Sequence, residues 1–285
     1  MFEIIEDAIL DTIKLIPFLF ITYLIMEYIE NKTSQKTKET IKKSGKWGPL
    51  IGGIVGIFPQ CGFSVSATNL YAARVISIGT LVSVYLSTSD EMLPIFISKS
   101  LEISLIVKIL LIKLLIAVFC GFLIDFILRL KNKENIEEKS IFDLCEHDHC
   151  HCHEDGILKS SIKHTVNIAI FILLITIVIN VIITLIGEEA IEEFLANNLI
   201  LGPAIASLIG LIPNCAASVI ITNLYIDNVI NGACLISGLL TGAGVGLMVL
   251  FRVNKNVKEN IKIVLSVYLI GLIAGLVLQN VGFII

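Results

Sequence analysis

The sequence predicts an all-α, polytopic membrane protein, and three observations support that prediction. Hydrophobic residues make up 55% of the 285 positions and charged residues only 16%, whereas soluble domains usually carry about one quarter charged residues. The apolar residues also occur in long blocks, and residues 166–186 contain no charge. About twenty such residues cross the ~30 Å hydrocarbon layer of a bilayer. This composition excludes a disordered chain, a nucleic-acid-binding surface and an ordinary cytosolic enzyme.

The chain contains an internal repeat. Residues 48–71 and 202–225 align without a gap, and twelve of the twenty-four positions are identical. The same offset pairs Pro59 with Pro213. Because a repeat determines the architecture, we predict three regions: a first repeat at 1–128, a cytoplasmic His/Cys-rich linker at 129–164 and a second repeat at 165–285.

Each repeat is expected to contribute five membrane segments, about ten in all. The first repeat has an apolar helix near 13–29, two short pieces at 48–59 and 62–77, and two segments near 78–97 and 103–128. The second repeat has the same order at 166–186, 202–213, 216–230, 231–251 and 261–282. The short pieces meet at a Pro-x-Cys break, so each pair is expected to enter and leave the membrane as a broken helix hairpin.

The distribution of charge predicts that the two repeats are inverted. The loop at 31–46 carries six lysines, whereas its counterpart at 187–198 carries four glutamates and no basic residue. The positive-inside rule places the first loop in the cytoplasm and the second outside. Both termini are then expected outside the cell (inner) membrane, with the central loop cytoplasmic. Inverted repeats with broken helices are typical of secondary transporters whose site lies near the midplane.

The repeated break supplies the first group of candidate site residues. Proline interrupts the helix hydrogen bonds, and irregular backbone inside a membrane persists only where it is buried in protein or lines an aqueous cavity. Thiols, amides, hydroxyls and freed carbonyls are therefore expected to converge there on one ion. The candidates are the helix breaks Pro59 and Pro213 and the substrate-binding residues Gln60, Cys61, Ser64, Asn69, Asn214, Cys215, Ser218 and Asn223. The alternative is that these small residues only pack helices together.

The second candidate is the Ser-Thr-Ser-Asp-Glu run at 87–91, inside the fourth segment of the first repeat. Asp90 and Glu91 would be costly at the bilayer centre, so they are candidate cation ligands or proton carriers. The second repeat has glycines at this place, which predicts an asymmetric site. The alternative is that both acids cap the segment at the outer surface. Lys108 and Lys113 either reach the outer interface, or one of them pairs with an internal carboxylate.

The linker supplies a third candidate, an accessory metal site in the cytoplasmic loop. Tracts rich in His and Cys bind divalent metals with little need for folding, and this tract could sense, buffer or hand over metal. Its ligands would be Cys145, His147, His149, Cys150, His151, Cys152 and His153. The spacing matches no closed zinc finger, so the alternative is a solvated linker that binds metal only incidentally.

The PQCG and PNCA breaks, the STSDE-x-LP run and the His/Cys-rich loop together resemble the ten-helix heavy-metal exporters, which are also described as manganese transporters or arsenic efflux permeases. The resemblance covers nearly the whole chain. It implies an inner-membrane carrier that expels a toxic metal or metalloid, with Cys61, Cys215, Asn69, Asn223, Asp90 and Glu91 in its substrate region. The second break has Ala216 and Ala217 where the first has Gly62 and Phe63, so the two hairpins need not contribute equally.

The leading hypothesis is a secondary active exporter of a divalent metal, with Mn(II) as the preferred candidate, working by alternating access. No nucleotide-binding P-loop is present. Thiolates favour trivalent arsenic and oxygen ligands favour Mn, so an arsenite or organoarsenical permease remains an alternative, as does a passive ion channel. We expect no enzyme, no cofactor besides the transported ion and no nucleic-acid partner. The bilayer is the expected surrounding, and a homo-oligomer is compatible with the sequence.

Overall fold

A computed structural model describes residues 2–32, 45–58, 60–89, 91–131, 157–186 and 201–281. The regular secondary structure in these ranges is helical, and no strand occurs in them, as the composition predicts. The helices are α1 (Phe2–Lys32), α2 (Gly48–Gly56), α3 (Gly62–Ala72), α4 (Ile78–Ser87), α5 (Met92–Ser98), α6 (Ile103–Lys131), α7 (Ile157–Ile186), α8 (Gly202–Gly210), α9 (Cys215–Ile226), α10 (Gly232–Thr241), α11 (Gly246–Val253) and α12 (Val257–Asn280).

Five helical stretches in the described ranges are long and apolar enough to cross a membrane. They are Ala8–Ile25, Ile103–Leu130, Leu158–Ile182, Gly232–Val253 and Val257–Asn280. At most 33% of the residues in four of them are buried within the protein, whereas the stretch formed by α10 and α11 is 89% buried. Large apolar side chains such as Leu115 and Phe119 are exposed on the outer helices. Such a continuous apolar surface is solvated by lipid rather than water, so the chain is a multi-pass membrane protein.

Helices α4 and α10 form the centre of the protein. Every residue of α10 is buried, and so is every residue of α4 after Ile78. Helices α2 and α6 pack on α4, and α8 and α12 pack on α10 in the same way. Because α4 also contacts α10 and α12, the two halves share one apolar core.

The sequence repeat is also a repeat of local structure. Ser83 of α4 donates a hydrogen bond to the carbonyl of Pro49 at 2.6 Å, and Ser237 of α10 donates to the carbonyl of Pro203 at 2.7 Å. These two bonds are related by the same offset that joins the two Pro-x-Cys breaks. In each half, the central helix (α4 or α10) therefore packs against the first short helix of the hairpin (α2 or α8) in the same manner.

Each fourth segment, expected to be continuous, is broken in two. Helix α4 ends before Thr88, which has an extended ψ of 129°, and α5 begins only at Met92. In the second half, the chain between α10 and α11 contains Gly244 with a φ of 56°, a conformation that glycine adopts readily. Different residues thus make equivalent breaks in the two halves.

The predicted linker is shorter than expected. Helix α6 continues to Lys131 and α7 begins at Ile157, so both ends of the segment predicted as linker, 129–164, are helical. The added turns of α7 are held by packing, because Ser160, Ser161 and His164 are buried. The His164 ring also stacks on Tyr23 of α1, with the ring centroids 5.3 Å apart.

Gly121 of α6 is expected to tolerate no side chain, because an added Cβ would lie 2.7 Å from the Gly79 carbonyl oxygen and 2.9 Å from Cβ of Pro49. We expect Gly121→Ala to lower the free energy of unfolding by about 1–3 kcal/mol, the usual effect of overpacking. Thermal unfolding of the purified protein in detergent measures this. The control is Gly45→Ala, where nothing lies within 4 Å of the added Cβ. Equal unfolding midpoints for both variants would contradict the close packing.

Candidate functional site

The first hairpin is positioned by α1, which lies alongside α3. Three hydrogen-bonded pairs join the two segments: Gln60 Nε2 with the Lys14 carbonyl at 3.2 Å, Ser66 with Thr22 at 2.7 Å and Asn69 with Tyr23 at 2.9 Å. The residue numbers increase together in both segments, so α1 and α3 are parallel. Lys14 lies inside the apolar stretch Ala8–Ile25, which is long enough to cross a membrane, so the first break lies beside a candidate membrane span.

The residues of the first break differ in exposure. Ser64 and Asn69 are fully buried, whereas Gln60 and Cys61 are half-buried. The Ser64 hydroxyl donates to the Cys61 carbonyl at 2.8 Å, and the Asn69 carboxamide accepts from the Tyr23 hydroxyl and donates to the Val65 carbonyl. The thiol of Cys61 is free of any disulfide. The half-buried residues of this break, Gln60 and Cys61, therefore present an amide and a thiol. The Ser64 hydroxyl and the Asn69 amide are hydrogen-bonded within the protein.

Lys14 connects the first break to two other predicted elements. Its ammonium lies 3.2 Å from a carboxylate oxygen of Asp11, and it lies within electrostatic range of Glu91 and Cys215. Glu91 in turn is half-buried at the start of α5 and interacts with Asp11 and Lys14. Gln60 of the first break thus bonds the backbone of Lys14, and Glu91 and Cys215 lie within electrostatic range of its ammonium, whose side chain is 63% exposed.

The second break has a different environment. Asn214 caps α9 by accepting from the backbone of Ala216 at 3.2 Å, and its amide donates to Asn180 of α7. Pro213, Cys215 and Asn223 are half-buried.

Ser218 is buried next to the glycine-rich break of α10, since a Cβ on Gly242 would lie 3.1 Å from its hydroxyl oxygen. Asn223, unlike its equivalent Asn69, is half-buried. The two hairpins therefore differ in their surroundings, as they differ in sequence at Ala216 and Ala217 of the second break.

A buried polar bridge joins the halves beside α3. The hydroxyls of Thr68 and Tyr85 lie 2.6 Å apart, and the Tyr85 hydroxyl donates to the Gly246 carbonyl at 3.1 Å. A Cβ on Gly246 would lie 3.0 Å from the Ser64 side chain. Helix α11 of the second half thus contacts the predicted site of the first half directly.

The three residues that precede the acids of the run lie in the interior of the protein. Ser87, Thr88 and Ser89 are at most 3% exposed, and the ten residues of α4 rise about 15 Å before the break, half the hydrocarbon thickness. Glu91, the described acid of the run, is half-buried. Asp90 itself lies outside the described residues.

The two lysines of α6 have different positions. Lys108 is exposed on the outer side of the helix, whereas Lys113 is 0% exposed and its ammonium donates to the carbonyl of Thr88. A charged side chain inside a membrane protein usually marks a functional site. Lys113 of the fifth segment therefore lies inside the protein, where it bonds the break in the fourth segment.

A polar cluster joins the halves at one end of the helices. Arg74 donates two hydrogen bonds of 2.9 Å to the Glu259 carboxylate, which also accepts from the Tyr71 hydroxyl and, at 3.2 Å, from the Asn254 amide. These hydrogen bonds with Glu259 raise the pKa of the Arg74 guanidinium above its usual value. Because Arg74 precedes α4 and Glu259 lies in the first turn of α12, both helices begin at the same face.

The same face also contains the end of α6. Asp125 accepts from the Ser77 hydroxyl at 2.6 Å and from the backbone of Gly79 at 2.9 Å. Lys46 and Arg129 line one surface cavity together with Asp125. The basic residues Lys46, Arg74 and Arg129 therefore lie at a single face of the protein.

Within the described ranges, no group of three His, Cys, Asp or Glu side chains is close enough to hold a metal ion. Several predicted positions lie outside those ranges: Pro59, Asp90 and the loop residues Cys145, His147, His149, Cys150, His151, Cys152 and His153. Any ion site among the described residues would therefore draw on hydroxyl, amide and carbonyl oxygens as well as on carboxylates.

Sequence reasoning missed several polar residues beside the candidate site. They are Asp11, Lys14, Tyr23 and Tyr85. Asp11 and Lys14 are three residues apart in an apolar stretch, and a charged pair in such a stretch is itself a functional signal. The two tyrosines have no such signal, because their partners are far away in the sequence.

The fold and the site define a multi-pass helical membrane protein whose helices break at buried polar groups. The chain belongs to the family described as "Putative, 10TM heavy-metal exporter", whose model matches residues 1–186. This match spans the first half, the linker and α7, and it confirms the resemblance to heavy-metal exporters. No curated protein and no solved structure matches the chain.

Proposed function

We propose that this protein exports a divalent metal ion, with Mn(II) as the first candidate, by alternating access between two inverted halves. Membership in a heavy-metal exporter family supports metal export in general. The broken helices and the repeated contacts of the two halves support a carrier of the inverted-repeat type. The carrier would need no resident cofactor, only the transported ion and the surrounding bilayer.

The observation that carries this proposal is the convergence on Lys14. Gln60 of the first break bonds the Lys14 carbonyl, and the Lys14 ammonium lies within electrostatic range of Glu91 and Cys215. These residues are distant in the sequence, yet a hydrogen bond or an electrostatic interaction connects each of them to one residue of the candidate span Ala8–Ile25. A shared polar region of this kind is what a single ion site between two hairpins requires.

The proposed ion site consists of the acidic run and the two breaks. Glu91 and Asp90 would supply negative charge, and Gln60, Asn214 and nearby carbonyls would supply neutral oxygens. Hard oxygen ligands favour Mn(II) over softer ions. Ser64, Asn69, Ser218 and Asn223 would hold the two hairpins in position around the ion.

The proposed orientation follows from the basic face. Lys46, Arg74 and Arg129 lie at the face that also holds the starts of α4 and α12. The positive-inside rule assigns such a face to the cytoplasm. In this orientation both termini lie outside the inner membrane, and the metal-binding loop between α6 and α7 lies in the cytoplasm, where it could deliver metal.

The second candidate is an arsenite permease, because Cys61 and Cys215 are half-buried cysteines, neither of them in a disulfide, beside the same region. Transport by protein reconstituted in liposomes separates the two candidates. We expect Mn(II) transport by the wild type, and we expect the double variant Cys61→Ser, Cys215→Ser to retain Mn(II) transport within about tenfold, because an oxygen can replace sulfur for a hard ion.

Arsenite and Zn(II) are assayed in the same liposomes, and Cys234→Ser, at a buried thiol away from both breaks, serves as the matched control. If the wild type transports arsenite but not Mn(II), and the double variant loses arsenite transport, the manganese proposal is wrong. Flux that passes in both directions without saturation would indicate a channel.

A further inference from the structure

A cavity at the basic face combines two cations with an apolar wall. It has a volume of about 380 Å³ and is lined by Lys46, in the turn before α2, and by residues of α6 that include Phe122, Asp125 and Arg129. Lys46 and Arg129 are both exposed, and neither forms an ion pair with an acid in the described part of the chain. The cavity therefore offers two cations to an anionic ligand.

The acid in the lining, Asp125, is engaged by α4. One oxygen of its carboxylate accepts from the Ser77 hydroxyl at 2.6 Å, and the other accepts from the backbone of Gly79 at 2.9 Å. Both donors belong to the N-terminal end of α4, where the helix dipole favours a negative charge. The charge of Asp125 is thus partly balanced by α4, and the lining as a whole is net positive.

The apolar wall has the length of one lipid chain. Phe119, Phe122 and Phe126 follow one another on α6 at spacings of three and four residues, and Arg129 continues this series, so all four lie on one side of the helix. The helix rises about 15 Å from Phe119 to Arg129, which is half the hydrocarbon thickness of a bilayer. Phe119 and Phe126 are 67% and 60% exposed. This phenylalanine stripe is one leaflet deep and ends at a cation, as a bound phospholipid requires.

Trp47 indicates the level of the lipid headgroups. It follows Lys46 directly in the chain and is 65% exposed, and exposed tryptophans concentrate at the interface between membrane and water. Because Lys46 and Arg129 line the same cavity, both cations lie near this level. In the proposed orientation this face is cytoplasmic, and the anionic lipids of the cytoplasmic leaflet attract basic residues.

The second half provides an internal comparison. By the repeat offset, the position of Lys46 is occupied by Ile200. The position of Arg129 is occupied by Phe283. Helix α12 begins at the basic face and rises about 36 Å, so this second place lies near the opposite face. The positive-inside rule explains why only one face is basic, but it does not explain why two of its cations share a cavity with a phenylalanine stripe.

We propose that this cavity binds the headgroup of an anionic phospholipid, with an acyl chain of that lipid along the phenylalanine stripe of α6. In this arrangement Lys46 and Arg129 contact the phosphate group, and the lipid joins the turn before α2 to the end of α6. The net positive lining selects an anionic lipid over a zwitterionic one. The inference does not depend on which ion the protein transports.

The chain contains a single tryptophan, Trp47, so its fluorescence reports lipids at this place. The full chain is reconstituted in phosphatidylcholine bilayers that contain a small fraction of brominated phosphatidylglycerol or, for comparison, brominated phosphatidylcholine. Bromine on the acyl chain quenches a tryptophan that it contacts, and inorganic phosphate gives no such signal. We expect phosphatidylglycerol to be preferred at least about fivefold, because each basic residue adds to the attraction of an anionic lipid.

The double variant Lys46→Gln, Arg129→Gln should reduce this preference below about twofold. The matched control is Lys255→Gln, Lys258→Gln, which removes the same charge from exposed positions at the start of α12 and should keep the preference. The single variant Arg129→Gln is measured as well and decides the test if the double variant does not fold. Its preference should lie between those of the wild type and the double variant.

Equal quenching by the two brominated lipids in the wild type would overturn the inference without any variant. The inference also fails if the variants of the cavity keep the full preference. It fails equally if the control loses the preference, because the attraction then comes from the general charge of this face. A loss confined to the cavity variants supports it. No transported ion is present in this measurement, so the proposed metal export stands or falls by its own transport assay.

Discussion

Glu91→Gln is expected to reduce Mn(II) export more than 100-fold. The substitution keeps the shape of the side chain and removes the charge that the proposed site offers to a cation. Loss of one partner from a buried ion pair costs about 3–5 kcal/mol, and each factor of ten corresponds to about 1.4 kcal/mol. Asp90→Asn should have an effect of the same size. Initial rates in liposomes, at equal amounts of folded protein, measure both.

The matched control for this variant is Glu102→Gln. Glu102 is an exposed acid in the turn between α5 and α6, so the substitution removes the same charge outside the proposed site. Its transport should equal that of the wild type. Transport at the wild-type rate by both Glu91→Gln and Asp90→Asn would remove the acidic run from the mechanism.

Arg74→Ala is expected to destabilise the protein by about 3–5 kcal/mol, because it leaves the Glu259 carboxylate without its bidentate partner in a partly buried cluster. The Arg74 and Glu259 side chains are only 22% and 19% exposed, so solvent does little to replace the lost bonds. Glu259→Ala should have a similar effect. Thermal unfolding in detergent measures the loss as a lower midpoint.

The double variant tests whether the two residues act as a pair. The loss of stability in the double variant should be clearly smaller than the sum of the losses in the two single variants, since the effects of substituting residues in direct contact are not additive. Lys258→Ala, at an exposed position next to Glu259, is the control and should leave the midpoint unchanged. Fully additive losses would mean that the ion pair does not join the two halves energetically.

Much of the fold follows from local signals in the sequence. The positions of α2, α3, α8 and α9 follow from apolar pieces that end at a Pro-x-Cys break, and these signals repeat at a fixed offset. Membrane helices are predictable because long apolar segments have few other stable environments. The break in the fourth segment was not expected, because Thr88 and its neighbours have no strong helix-breaking tendency and an apolar run continues on both sides.

The candidate site was predictable only in part. Gln60, Cys215 and Glu91 stand out in the sequence because they are polar groups in apolar segments, and the structure places all three near Lys14. What the sequence does not contain is the register of α1 beside α3, which depends on contacts between residues more than forty positions apart. The internal position of Lys113 could likewise be recognised only from the packing of α6 on α4, since Lys108 on the same helix is exposed.

Because α1 and α3 run in parallel with matched hydrogen bonds at Thr22 and Tyr23, we expect them to move as one unit although α2 lies between them in the chain. Distances between probes on these two helices should stay constant during a transport cycle. The pair therefore gives a fixed reference frame, against which spectroscopic measurements can report the displacement of α7, α10 or α12.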